Sequence, residues 1–282
     1  MSYRTVLVHV DERAHAARRI DVAAAVAARF EGHLIGAALT GISRFLYQRD
    51  PLEGDDATLA LHLCFLREQA EAALRGFTAR LAGLATPTHE ARLVDDDAGD
   101  GLSLHARGAD LVVLGQSEPD AGGRDLPAHV LRHAGRPVLV VPHAGVLERV
   151  GRKVLVGWDG GREAARALQL GLPLLRLADE LTLAVFDSGD GRVLAEARAA
   201  DPRRYLARHG VQASLAVHAL APRRGPARRQ DIGAALLALG AELSADLLVM
   251  GGFGHSRLRA SLLGGVTHTV LEETSVPLLM AH

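Results

Sequence analysis

Apolar residues fall in short unbroken runs along the chain, separated by longer stretches in which they recur every three or four positions. Runs such as Val6-Leu7-Val8, Leu111-Val112-Val113-Leu114 and Leu247-Leu248-Val249-Met250 show no polar alternation. Strands of that kind are covered on both faces, as in a parallel sheet between helical layers. The runs predict strands near 4–10, 33–40, 89–94, 110–115 and 137–142. A second series falls near 152–158, 180–186, 211–218, 245–251 and 276–281. The clearest helix lies between the second and third strands. There Leu59, Leu63, Leu66, Ala70, Ala73, Leu74, Phe77, Leu81 and Leu84 form one apolar stripe. Cys64 stands beside that stripe and reads as a small buried or half-buried residue.

The pattern occurs twice. Val6-Leu7-Val8-His9-Val10-Asp11 matches Val154-Leu155-Val156-Gly157-Trp158-Asp159, and Ala109-Asp110-Leu111-Val112-Val113-Leu114-Gly115 matches Ala245-Asp246-Leu247-Leu248-Val249-Met250-Gly251. Pro137-Val138-Leu139-Val140 likewise matches Pro277-Leu278-Leu279-Met280. The order is kept and only loop-sized insertions separate the copies, so the chain reads as a tandem duplication. Domains over 1–146 and 150–282 are expected, joined by a linker around His143 to Gly151. Three polar segments read as loops: Asp95 to Gly101, Ser117 to Asp125, and the arginine-rich Ala221 to Arg229.

Composition adds limits. The 282 residues carry 32 Lys+Arg against 33 Asp+Glu, a net charge of −1, without the basic excess of a nucleic-acid or membrane-surface binder. A single cysteine excludes an intrachain disulfide and a cysteine-cluster zinc site. The start of the chain lacks a secretory pattern, and no apolar run approaches the ~20 residues that cross a bilayer. A cytoplasmic location is expected, with no nucleic-acid or membrane partner.

Candidate chemistry gathers in one stretch, Met250-Gly251-Gly252-Phe253-Gly254-His255-Ser256-Arg257, which ends at Gly264-Gly265-Val266-Thr267. Glycines let a ligand approach backbone N–H groups, and a helix start adds free N–H donors and partial positive charge. Together these suit phosphate; a plain surface loop is the other reading. No Gly-Lys-Ser/Thr follows the glycines, and no Gly-x-Gly-x-x-Gly follows the first strand. Both the phosphate-loop and dinucleotide fingerprints are therefore absent.

Gly251, two residues, Gly254, nine residues and Gly264 resemble the nucleotide motif of the universal stress protein family. The Asp closing each first strand and the final Val276-Pro277-Leu278-Leu279 support the resemblance over the whole chain, as two domains in tandem. It implies an α/β fold of two doubly wound, five-stranded parallel sheets, Rossmann- or flavodoxin-like, with strand order 3-2-1-4-5. It also implies ATP as ligand, with or without Mg2+, in a sensor or interaction module for an unidentified protein partner. By position, Asp159 would meet ribose or adenine and Val185 would offer backbone bonds to adenine. Gly251, Gly252, Gly254, His255, Ser256, Gly264, Gly265, Val266 and Thr267 would form the phosphate segment. Pairing through the last strands, Pro137 to Val141 and Pro277 to Ala281, would give an intramolecular pseudo-dimer; a homodimer is the other arrangement.

This chain departs from the family pattern at Gly265, where ATP binders carry Ser or Thr. One missing hydrogen bond to a charged group costs on the order of 1.5–3 kcal/mol. Ser256, Arg257 and Thr267 are candidate substitutes, or solvated and capping residues. In the first half, Glu118 and Asp120 follow the fourth strand and Gly122 and Gly123 lie off the motif's spacing. One nucleotide site, in the second half, is expected. His129 and His133 share a helix face without a third ligand nearby in sequence, so surface histidines are favoured over zinc. The arginines between Ala221 and Gln230 read as a solvated loop, with a lid over a polyanion as the alternative. No set of metal-holding carboxylates and base surrounds the glycines, so slow ATP hydrolysis is the most catalysis expected. The other functional readings are a nucleotide-free scaffold and a small-ligand or metal binder using the first half's cleft.

Overall fold

Alternation of apolar runs with helical stretches gives ten strands and eight α-helices among the described residues of a computed structural model. These residues are 2–43, 57–84, 88–117, 125–145, 147, 149–187, 191–219, 226–254 and 265–282. They divide into two compact units, Ser2–Arg136 and Pro137–His282.

The first unit runs β1 (Thr5–His9), α1 (Ala16–Arg29), β2 (His33–Leu39), α2 (Ala57–Ala82), β3 (His89–Val94), α3 (Ala98–His105), β4 (Leu111–Gly115) and α4 (Leu126–His133). Its strands lie in the order β3-β2-β1-β4, all parallel. Val6, Leu7 and Val8 of β1 are wholly buried, as their unbroken apolar run requires. Each such side chain removed from water stabilises the fold by about 1.5–3 kcal/mol.

The second unit runs β5 (Val138–Val141), β6 (Lys153–Gly157), α5 (Arg162–Leu175), β7 (Glu180–Asp187), α6 (Arg192–Arg208), β8 (Ser214–Ala219), α7 (Pro226–Glu242), β9 (Leu247–Gly251), α8 (Val266–Glu273) and β10 (Leu278–Ala281). The order is β5-β10-β9-β6-β7-β8. Strands β6 to β10 thus take the expected 3-2-1-4-5 arrangement, all parallel. β5 joins β10 antiparallel, with Leu139 opposite Leu279.

The repeated Ala-Asp pair has the same structural task in both units. Asp110 Oδ2 accepts the N–H groups of Arg4 and Thr5 at 2.8 and 2.9 Å. Asp246 Oδ1 accepts those of Gly151, Arg152 and Lys153 at 2.9, 2.9 and 3.0 Å. Each carboxylate satisfies donors at the start of the unit's first parallel strand.

Three expectations need correction. Asp95 to Gly101 is not all loop, because α3 starts at Ala98. Asp97 caps it, accepting from Gly99 and Asp100 N–H groups, and Asp100 complements the positive helix end. These gains outweigh the low helix propensity of Gly99 and Gly101, whose missing Cβ atoms make room for His129 and Leu39. Pro226–Arg229 likewise belongs to α7, which begins on a proline suited to a first helical turn. Cys64 is exposed rather than half-buried. The buried part of the α2 stripe is Ala70, Ala73, Phe77 and Leu81, one turn and more beyond Cys64, while Leu61 and Phe65 also face solvent.

Candidate functional site

Open parallel sheets leave a crevice at the carboxyl ends of the strands where the order reverses. In the second unit that point lies between β6 and β9, so the residues following these two strands face one another. After β6 come Trp158 and Asp159. Trp158 N–H donates to the Ala184 carbonyl at 2.9 Å, and its indole Nε1 donates to the Arg198 carbonyl at 3.1 Å. The Asp159 carboxylate accepts from Gly161 N–H at 2.7 Å through Oδ1. Gly160 makes the turn possible at φ +80°, and Gly161 is the N-cap of α5.

Gly251 ends β9 against the first turn of α5. A Cβ there would lie 2.4 Å from Ala164 N and 2.5 Å from the Glu163 carbonyl carbon. Its glycine is therefore required by helix-to-strand packing, with or without a ligand. Gly252 N–H donates to Ala281 O at 2.9 Å, and His282 Nδ1 donates to Gly252 O at 3.0 Å. Phe253 then takes a left-handed conformation, φ +54°, rare for a large side chain. Its N–H donates to Thr267 Oγ1 at 3.1 Å. Thr267, proposed as a phosphate donor, is buried and ties the glycine segment to α8.

Gly265 is the N-cap of α8, and no described side chain caps that helix. A Cβ at Gly265 would meet nothing within 4 Å. Val266 opens the helix behind it. Val185 lies in β7 opposite Val217 of β8, one residue past the carbonyl that accepts from Trp158. The structure therefore brings Asp159, Gly251, Gly252 and Gly254 together. His255, Ser256, Arg257 and Gly264 lie outside the described residues, as does Ala221 to Gly225 of the arginine-rich segment.

Glu163 was missed by the sequence reading. The residue is 6% exposed, and its Oε2 lies 3.2 Å from the point a Cβ of Gly254 would occupy. Asp159 Oδ2 lies 3.9 Å from the same point. Burial alone would raise the Glu163 carboxyl. Hydrogen bonds from Arg162 and its own backbone, with the charges of Arg162 and His282, more than offset this and hold it below the ordinary carboxylate range. No sequence signal marked it, because a glutamate in a first helical turn is ordinarily a solvated complement to the helix dipole.

In the first unit a cation stands beside Gly115, the counterpart of Gly251. Arg19 is 4% exposed, and its Nη1 lies 2.7 Å from the point a Cβ of Gly115 would occupy. Arg19 Nε donates to His9 O at 2.6 Å, and Nη2 pairs with Asp11 Oδ1 at 2.9 Å. Burial, reinforced by Arg19, pushes His9 down to about 3. The matching Asp of the first repeat is thus engaged internally. A signal existed: Arg19 falls on the same face of α1 as the buried Ala16, Ala23 and Val26. Glu118, Asp120, Gly122 and Gly123 lie outside the described residues. His129 stacks on His133 with ring centroids 4.3 Å apart, and its Nε2 lies 3.1 Å from Asp100 Oδ1. Among the described residues no group of three His, Cys, Asp or Glu is placed to hold a metal ion, and no helix is long and apolar enough to cross a membrane.

The model of the universal stress protein family matches residues 2–142 and 151–282. Among solved structures, a universal stress protein from Archaeoglobus fulgidus DSM 4304 is 14% identical, with 100% of this chain and 99% of that chain covered and a TM-score of 0.69. A functionally unknown protein from Pseudomonas aeruginosa PAO1 is 16% identical, covering 99% and 92% of the two chains, with a TM-score of 0.56. At these identities the likeness shows the fold. A universal stress protein in complex with cAMP is 23% identical over 50% of this chain and 98% of its own, with a TM-score of 0.37. No curated protein matches the sequence. Matched by the family model in each half and built as the same α/β repeat twice, the chain belongs to the universal stress protein family.

Proposed function

We propose that this tandem universal stress protein binds an adenine nucleotide, ATP in the first instance, through its second unit and serves as a sensor or partner-binding module in stress response. The observation that carries this reading is the meeting of Asp159 and Gly254 at the strand-order reversal, where Asp159 Oδ2 lies 3.9 Å from the point a Cβ of Gly254 would occupy. The start of α8 at Gly265 and Val266, uncapped among the described residues, supports it, since its N–H groups suit phosphate. Val185 would offer its backbone to adenine, and His255, Ser256, Gly264 and Thr267 would complete the segment. The proposal includes one site per chain, because in the first unit Arg19 stands beside Gly115, the counterpart of Gly251, and engages Asp11, the counterpart of Asp159. It also includes a pseudo-dimer of the two repeats and a cytoplasmic location.

A nucleotide-free scaffold is the second reading. Gly251 is explained by packing alone, and the Glu163 carboxylate opposes phosphate. Mass spectrometry of small molecules released from the purified chain, with thermal melting in added ATP, separates the two. Released adenine nucleotide and a raised Tm support the first reading. No adenine species and an unchanged Tm favour the scaffold.

A further inference from the structure

Val10 and Trp158 hold the same place in the two repeats, one residue before the aspartate that follows the first parallel strand. Both make the same backbone bond. Val10 N–H donates to Ala37 O at 2.8 Å, and Trp158 N–H donates to Ala184 O at 2.9 Å. Val10 is 2% exposed, so a small aliphatic side chain fills the place in the first unit. The second unit carries the chain's one tryptophan there, and it is only half-buried. An indole is larger than that place requires, and the residue remains partly open to solvent.

The ring is also fixed. Its Nε1 donates to Arg198 O at 3.1 Å, which ties it to α6, the helix packed on β7. That bond satisfies the side chain's one polar group, so what the indole offers a ligand is an apolar π surface. Gly157 pairs with Ala184, so Trp158 comes level with Val185, and Asp159 follows it at the strand-order reversal. A flat surface held in advance costs little ordering when a flat ligand lies on it.

We propose that Trp158 is the base-stacking residue of the second unit's site, its indole forming the wall against which the ring of a nucleobase lies. This role rests on the nucleotide reading above and names the residue that holds the base. Stacking uses the face of the ring and does not sense phosphate charge, so adenosine and ATP gain from it alike.

The test reads the emission of the sole tryptophan, excited where adenine does not absorb, as the full chain is titrated with adenosine, ATP and inorganic tripolyphosphate. Calorimetry gives the affinities of the same ligands. Adenosine and ATP are expected to change the emission saturably, over the concentrations at which calorimetry shows them binding, and tripolyphosphate to leave it unchanged. Trp158→Leu keeps an apolar side chain without the aromatic face and is expected to weaken adenosine and ATP by a similar factor, roughly ten- to a hundredfold. Trp158→Phe keeps a face but not the bond to Arg198, and is expected to recover most of that loss. Adenosine and ATP that bind the unaltered protein without changing its emission overturn the proposal, even if neither variant folds; so does an equal change with tripolyphosphate. A folded Trp158→Leu that binds as tightly as the unaltered chain, or a folded Trp158→Phe that binds no better than Trp158→Leu, overturns it as well. If neither adenosine nor ATP binds the unaltered protein, the nucleotide reading itself fails.

Discussion

Arg19 and Asp11 form an ion pair of 2.9 Å at the carboxyl end of β1, with 5% and 20% of their side chains exposed. Removing one partner leaves the other charge uncompensated in a place it was not built to occupy alone. Arg19→Met is expected to lower the stability of the first unit by about 3 kcal/mol, at the low end for buried pairs because Asp11 keeps some water. The double change Arg19→Met with Asp11→Leu is expected to recover most of that loss. Denaturant melts of the three proteins check this; a double variant as unstable as Arg19→Met would show that packing, not charge, is at stake.

His9 makes the same region acid-sensitive. Its folded-state pKa, about 3, lies below the ordinary 6.5, so the unfolded chain binds the extra proton between those values. Stability is therefore flat above about pH 6.5 and falls as pH drops from there toward 3. Asp11 adds its loss further down. Burial alone would raise its carboxyl, but Arg19 and His9 together hold it below the ordinary 3.8, so its contribution disappears only as pH falls through that lowered value. His9→Gln is expected to flatten the slope between pH 6.5 and 4, measured as the midpoint of thermal unfolding against pH.

Gly251 separates a packing role from a ligand role. A methyl group there meets backbone atoms of Glu163 and Ala164, which cannot rotate away. Gly251→Ala is expected to lower Tm in the ligand-free protein, by the equivalent of about 2–3 kcal/mol. Were the glycine needed only for phosphate, the ligand-free melt would be unchanged.

Strands were the most legible part of the chain because unbroken Val-Leu runs have few alternatives when both faces are covered. The tandem repeat was legible for the same reason, since Asp110 and Asp246 keep one structural task at matching places. Helix starts were less so. Asp97 and Pro226 act locally, and their effect on glycine- and arginine-rich segments outweighs composition. Of the site, Gly254 comes from the glycine spacing and Asp159 from the family resemblance, and the two stand near one another. Glu163 and Arg19 were not read, because whether a helical charge is solvated depends on which strand end stands opposite it. Sequence spacing carries no record of that pairing.

Gly265 offers the most direct route to restoring what the family pattern has at this position. Its φ of −98° is open to any residue, and a Cβ there meets nothing within 4 Å. Gly265→Ser therefore introduces no strain, and its hydroxyl can cap the free N–H groups of α8, adding ~0.3 kcal/mol of stability. The larger effect is on binding. A serine hydroxyl donating to phosphate is a hydrogen bond to a charged group, so Mg2+-ATP affinity is expected to rise by roughly ten- to a hundredfold. Gly265→Ala has the Cβ without the donor and is expected to leave affinity near that of the unaltered chain. Calorimetry on the three proteins decides the matter: a gain with Ser alone places phosphate at the start of α8, and equal affinities would move it elsewhere along the segment.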